Sequence, residues 1–332
     1  MNRIFSFSIL DFTMTVIVAI GSMLILYNTG FMNDFALPAS LLNLNTIFLS
    51  ILIEALPFVL IGVLIAGTIQ IFVTEAHIQK WIPENKVKAV FMSCTIGALF
   101  PACECGIVPI VRRLISKGVP IHAAIGFMLT GPLINPIVIA STYMAFGNDF
   151  RMAGFRMILG FVIAIIVALT VGVLFKGRQL KDSVEMNSRS HFHTEKSLPT
   201  KLWSMLTHSI DEFFDMAKFL VIGAFLAAVV QTYLPARVLL ELGSGPIASL
   251  LVMMGLAYVL SLCSEADAFI GASFRGIFPA SSILGFLIFG PMIDLKNTIM
   301  MLSVFRFRFV FGVLGLVVCV IIVIITALQG YL

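Results

Sequence analysis

The chain has 332 residues, 60% of them hydrophobic and 11% charged, with a mean hydropathy of +1.07. Soluble globular chains carry about 25% charged residues, so this one lacks the polar surface an aqueous fold needs, and hydrocarbon is the solvent that suits it. The net charge of +4 sits in short loops between apolar runs, which is a membrane-orientation signal and not a nucleic-acid surface, so no nucleic-acid partner is expected.

Runs close to the roughly 20 residues of a span lie at about 12–28, 46–73, 88–111, 121–146, 153–175, 213–234, 247–263, 279–303 and 307–328. They read as an all-α, multi-pass cell-membrane protein of about eight to nine transmembrane helices, several broken by Pro, Gly or polar residues. The first run follows Asp11 and ends in Asn28-Thr29-Gly30 without a small-residue cleavage site. It reads as a transmembrane anchor and loop over 1–44.

Between the fifth and sixth runs lies a polar stretch, 177–208, flanked and filled by Lys176, Arg178, Lys181, Arg189, Lys196 and Lys201. It reads as a cytoplasmic linker. Counting spans from it puts Arg112, Arg113, Lys117 and Arg275 on the same side. The Glu75–Lys88 loop then falls outside despite its lysines, a conflict with that count. His191 and His193 in the linker are either a metal-binding H-x-H pair or inert solvated side chains.

The linker separates two similar halves, 45–176 and 209–332. Glu54, Gly62 and Gln70 match Asp215, Gly223 and Gln231 at one offset. Gly126, Gly131-Pro132 and Asn135 match Gly285, Gly290-Pro291 and Asp294. Arg156 with Gly160 matches Arg308 with Gly312, and Cys103-Glu104-Cys105 lies opposite Cys263-Ser264-Glu265. Four spans per half return the chain to its starting side, so the expectation is two parallel four-helix repeats with the pathway between them.

Chemistry concentrates where the helices break. Pro101, Cys103, Glu104, Cys105, Gly106 and Pro109 fall within one apolar run. Broken backbone at membrane depth needs protein or a water-filled cavity to satisfy it, so this segment should face inward. A carboxylate there should face a cavity, pair with a cation or carry a proton. Cys103 and Cys105 add two soft ligands, which with Glu104 could hold a soft metal ion or grip a trivalent arsenical, and Cys263 and Glu265 offer the same groups from the other half. Gly131-Pro132 with Asn135, and Gly290-Pro291 with Asp294, should unwind two further helices near the midplane. Glu54 and Asp215 form a matched acidic pair near the cytoplasmic face. Arg156 and Arg308 either snorkel to headgroups or pair with acids across the halves. Asp267 is one more acid within an apolar stretch, while Cys94 and Cys319 read as packing residues.

At Pro101-Ala-Cys103-Glu104-Cys105-Gly106-Ile-Val-Pro109, Gly118-Val-Pro120 and Gly131-Pro132-Leu-Ile-Asn135-Pro136, the chain resembles the YraQ/ArsP-type predicted permease family, and within it the YcgR-type proteins of Bacillus-like bacteria. The resemblance implies a polytopic permease with Cys103 and Cys105 in contact with substrate. ArsP-type members export trivalent organoarsenicals, and relatives of this kind are often found with a second membrane protein. The family often has Ser where this chain has Glu104, which suits a metal cation or proton coupling better than an arsenical.

The expectation is a permease, not an enzyme, moving a small thiophilic solute or metal ion across the cytoplasmic membrane with proton or gradient coupling, and needing no cofactor beyond a bound soft metal. The alternatives are an intramembrane thiol-redox enzyme using Cys103 and Cys105, or a non-transporting membrane subunit of a complex. No G-x-x-x-x-G-K-[ST] pattern occurs, so ATP coupling would need another subunit.

Overall fold

A computed structural model describes residues 38–72, 82–100, 103–181, 198–233 and 245–330. The expected anchor at 12–28, Pro101, and His191 with His193 lie outside the described residues. Among the described residues twelve helices run in chain order: α1 (Ala39–Phe72), α2 (Lys86–Leu99), α3 (Glu104–Ser116), α4 (Ile121–Ile134), α5 (Pro136–Ala145), α6 (Phe150–Leu174), α7 (Leu198–Tyr233), α8 (Pro246–Leu260), α9 (Ser264–Ser273), α10 (Ala280–Met292), α11 (Leu295–Val304) and α12 (Phe307–Ala327). Apolar backbone in hydrocarbon can satisfy its N–H and C=O groups only within its own segment, which is why these runs are helical. α7 begins inside the stretch expected to be linker.

Among the described residues, six stretches are long and apolar enough to cross a membrane: α1, α4 with α5, α6, α7, α10 with α11, and α12. The two interrupted spans are the central ones. Of their most apolar stretches 78% and 89% is buried within the protein, against 33% to 44% for the other four.

Neither 88–111 nor 247–263, both expected as spans, holds a single helix long enough to cross. α2 has 14 residues, about 21 Å of helix, which falls short of a hydrocarbon core of about 30 Å. It runs alongside α4 in the same direction. A Cβ on Gly126 would meet Cys94 and Val90, and one on Gly97 would meet Thr130 and Phe127. α3 then runs back. Its start touches the end of α4, where a Cβ on Gly131 would meet Ile107, and its own end joins the start of α4 through the short turn at Lys117–Pro120. So α2 and α3 form an antiparallel hairpin beside α4. α8 and α9 do the same: Gly285 faces Leu250, Gly290 faces Ala257 and Asp267, and Gly271 faces Leu287.

A hairpin in place of a crossing changes the parity of each half. α1 and α7 run antiparallel: Thr68 Oγ1 lies 3.5 Å from Met205 Sδ, Ser209 Oγ donates to the Val63 carbonyl, and at the other end Phe48 packs on Phe225. Parallel repeats would make this pair parallel, so the parallel relation expected from the sequence does not hold. The error came from counting an even number of crossings per half. Arg275 moves accordingly. It ends up beside Phe146 at the far end of α5, with Nη2 3.0 Å from that carbonyl. This is the face opposite Arg112 and Arg113, not the same one. α6 returns antiparallel to α4, Gly160 against Leu133 and Gly172 against His122. The ends of α6 and α11 then meet the start of α12, through Phe175 on Phe309 and Lys181 N–H to the Val304 carbonyl.

Candidate functional site

Each half interrupts its helices twice, and a new helix starts at each break. Cys103, Asn135, Cys263 and Asp294 are the four N-cap residues, all with the extended backbone that a cap requires. Asn135 Oδ1 accepts from the backbone of Ile137 at 2.7 Å and Val138 at 3.2 Å, and Pro136 occupies the first helical position, where a missing N–H does no harm. Asp294 Oδ1 accepts from Asn297 N–H in the same way. Cys103 and Cys263 make no side-chain capping bond. The first-turn N–H groups of α3 are thus left without a side-chain acceptor.

These starts surround one cavity of about 290 Å³. α1 contributes Ile51, Glu54, Ala55 and Phe58. The breaks contribute Cys103, Glu104 and Cys105 from α3, Asn135 and Ile137 from α5, Cys263 and Glu265 from α9, and Lys296 from α11. Glycine sets the approach of α1: a Cβ on Gly62 would come within 2.3 Å of the Gly106 carbonyl, and one on Gly106 within 2.7 Å of the Phe58 carbonyl. Close approach of the two backbones is what brings Glu54 over the start of α3.

Of the seven residues expected to contact substrate, six line this cavity. Asp294 stands one step behind, with Oδ2 3.7 Å from Lys296 Nζ. Glu54 lines it as well, although expected nearer the surface. Its sequence counterpart Asp215 is exposed on α7 and takes no part. The supporting residues divide. Pro109 lies within α3, and Gly131-Pro132 and Gly290-Pro291 lie in the last turn of α4 and α10, just before the breaks. Gly131 admits Ile107, and Gly290 admits Asp267. Arg156 is 1% exposed and does not snorkel: Nη1 reaches Thr142 Oγ1 at 2.7 Å and Nη2 the Ser264 carbonyl at 3.1 Å, across the two halves. Arg308 is exposed at the start of α12.

Two buried charged residues were not anticipated. Lys296 is 4% exposed. Its ammonium donates to Glu104 Oε1 at 3.2 Å and to the Ser261 carbonyl at 3.3 Å. Ser261 ends α8 in the left-handed region at φ 46°, a conformation costly for a residue with a Cβ, and this turn aims its carbonyl at the lysine. Glu212 on α7 is the second. Its Oε2 accepts from Arg113 Nη2 at 2.6 Å and Nε at 3.0 Å, and Oε1 lies 3.3 Å from Arg112 Nη1. Lys296 lies two positions beyond Asp294, and Asp215 rather than Glu212 aligns with Glu54.

All five cysteines are free thiols. Cys94 is buried against Gly126, and Cys319 is exposed on α12. Among the described residues no group of three or more His, Cys, Asp or Glu side chains is arranged to hold a metal ion. Glu104 engages a lysine instead of completing a set with Cys103 and Cys105.

A family model of the ArsP type, described as a predicted permease, matches residues 40–330. The chain belongs to this permease family. UPF0718 protein YcgR of Bacillus subtilis is 50% identical over 284 residues, covering 85% of this chain and 96% of that protein. A protein of Streptococcus mutans named as a putative two-component membrane permease complex subunit is 42% identical over 281 residues, 84% of this chain and 92% of its own length. No solved structure matches. The matched residues take in both hairpins, all four breaks and every residue lining the cavity.

Proposed function

We propose that the chain forms the membrane-embedded pathway of a permease, and that a small thiophilic solute passes through the cavity between its halves. The observation that carries this reading is the convergence of four interrupted helices from both halves on one cavity that holds three thiols and a buried ion pair. Transporters place substrate where discontinuous helices of two related halves meet. A packing role alone gives no reason to bury Glu104, Asp294 and Lys296 together at membrane depth.

α1–α6 and α7–α12 are best read as inverted repeats, each a long helix, a re-entrant hairpin, an interrupted span and a closing span. Rocking of one half against the other would then expose the cavity to either face in turn. Lys86, Lys88, Arg112, Arg113, Lys117, Lys176, Arg178 and Lys181 gather on one face, and Arg151 and Arg275 on the other. The first face is the cytoplasmic one by the excess of basic residues, which makes 182–197 a cytoplasmic connection. With the hairpins in place, the lysines in the first turn of α2 join the basic side and the conflict raised by span counting disappears. The printed name of the streptococcal relative supports a second membrane subunit as partner.

The test is flux into liposomes holding the purified chain, with cadmium, a trivalent organoarsenical and a soft inorganic anion as separate solutes. Transport of at least one of them is expected, weakened by Cys103→Ser/Cys105→Ser and uncoupled from a proton gradient by Glu104→Gln. If no solute moves, or if both variants transport as wild type does, this cavity is not the pathway.

A further inference from the structure

We propose that the substrate of this cavity is a small anion, which takes Lys296 from Glu104 while a proton neutralises the released carboxyl. This deepens the permease reading and rests on it. Outside α1, every residue lining the cavity belongs to a helix start: Cys103 to Cys105, Asn135 and Ile137, Cys263 and Glu265, and Lys296. Each start carries roughly half a positive elementary charge. The start of α3 has no side-chain cap, which leaves its first-turn N–H groups open to a ligand.

Lys296 and Glu104 supply the second, independent observation. Lys296 is a buried ammonium on the cavity wall, and the group it holds is a carboxylate. Glu104 is 1% exposed, yet its Oε2 has no hydrogen-bond partner. A carboxylate that binds a lysine through one oxygen, leaves the other unsatisfied and sits at a helix start occupies the place an anionic substrate would take.

The exchange balances. The pair Lys-NH₃⁺···⁻OOC-Glu, an anion X⁻ and one proton become Lys-NH₃⁺···X⁻ and Glu-COOH. The only bond formed is O–H, nothing is oxidised, and the buried charge of the site is unchanged. That matters because an added uncompensated charge is strongly disfavoured at this depth. The groups facing Glu104 are Asp294 and Lys296 of α11, Glu54 of α1, and Cys263, Glu265 and Asp267 of α9, beside Cys103 and Cys105 of its own helix. These carboxylates repel an anion arriving alone, so a proton must travel with it. The thiols are weak, polarisable S–H donors, which favours a soft anion over a hard one.

Calorimetry on the full chain in nanodiscs decides the matter, with sodium thiocyanate as soft probe, sodium formate as hard probe and cadmium chloride as the cation arm. Repeating each titration in buffers of different ionisation enthalpy counts the protons. Wild type should bind thiocyanate with uptake of about one proton, and about ten-fold tighter for each pH unit lowered. Glu104→Gln should bind it with neither proton uptake nor pH dependence. Lys296→Gln should lose it by ten-fold or more, and Lys296→Arg, which keeps the charge, should retain it. Should Lys296→Gln fail to fold, the proton counts of wild type and Glu104→Gln still decide. Formate binding with proton uptake in place of thiocyanate supports the exchange and discards the role of the thiols. Binding without proton uptake, no binding of either anion, or saturable binding of cadmium alone overturns the proposal. Proton-linked binding without flux in liposomes would sink the permease reading and leave this one standing, whereas flux without proton uptake would do the reverse.

Discussion

Lys296 Nζ lies 3.2 Å from Glu104 Oε1, joining the hairpin tip of one half to the interrupted helix of the other across 192 positions of chain. Both side chains are buried, so removing one strands the other. Lys296→Met leaves Glu104 and Asp294 facing each other without a cation, and removing one member of a buried pair is destabilising by about 3–5 kcal/mol. Glu104→Gln is expected to cost less, because Asp294 remains 3.7 Å from the ammonium. The double variant Glu104→Gln/Lys296→Met should recover part of the loss. Unfolding midpoints in detergent measure all three, and losses that merely add would show that the two residues do not interact.

The approach of α1 to α3 depends on two glycines. Gly106→Ala sets a methyl 2.7 Å from the Phe58 carbonyl, and Gly62→Ala sets one 2.3 Å from the Gly106 carbonyl. Both obstacles are backbone, which cannot rotate away. Destabilisation of about 1–3 kcal/mol is expected from such overpacking, with loss of transport as α1 is pushed off the cavity. Gly154→Ala in α6 is the control. Nothing lies within 4 Å of its new methyl, and it should stabilise by up to about 1 kcal/mol through helix propensity. Equal effects at all three positions would contradict the close packing.

Glu212 holds both Arg112 and Arg113 at the end of the first hairpin. Glu212→Gln removes the carboxylate that bridges them and leaves two buried guanidiniums side by side. A loss of about 3–5 kcal/mol is expected, larger than for Asp215→Asn on the exposed face of the same helix, which should fall within about 0.5 kcal/mol. Comparable losses at the two positions would mean that Glu212 does not anchor the hairpin.

The sequence made the cavity legible and the path of the chain much less so. A cysteine pair around a carboxylate, and an asparagine before a proline, are polar interruptions inside apolar runs, and hydrocarbon tolerates such interruptions only where they face protein or a cavity. That argument holds for Cys103, Glu104, Cys105, Asn135, Cys263 and Glu265 whatever the topology. Hydropathy, however, cannot tell a broken helix that continues from one that turns back. The signals that could have told them apart were the shortness of the helix around Cys94 and the lysines before it, which a crossing would have placed on the less basic side. Lys296 escaped because a single lysine near a helix start usually reaches water. Only the fold shows that this start lies at the centre.

The antiparallel relation of the halves has a direct test. If α2 and α3 form a hairpin, cysteines placed before and after it label from the same face. Lys86→Cys and Ser116→Cys, in a background without the native cysteines, should both react with an impermeant maleimide from one side of the membrane. Ser273→Cys, at the end of the second hairpin, should react only from the other. Two parallel four-span halves predict the reverse pattern: Lys86 opposite Ser116, and Ser116 on the same side as Ser273. Thr68→Cys with Met205→Cys should also cross-link under mild oxidation, because these side chains already touch at 3.5 Å. Cross-linking alone would be compatible with helices crossing at one point. A second disulfide between Phe48→Cys and Phe225→Cys, whose rings are 6.0 Å apart near the other end of the same helix pair, fixes the direction. If the first pair cross-links and the second does not, α1 and α7 are not antiparallel along their length and the inverted arrangement fails.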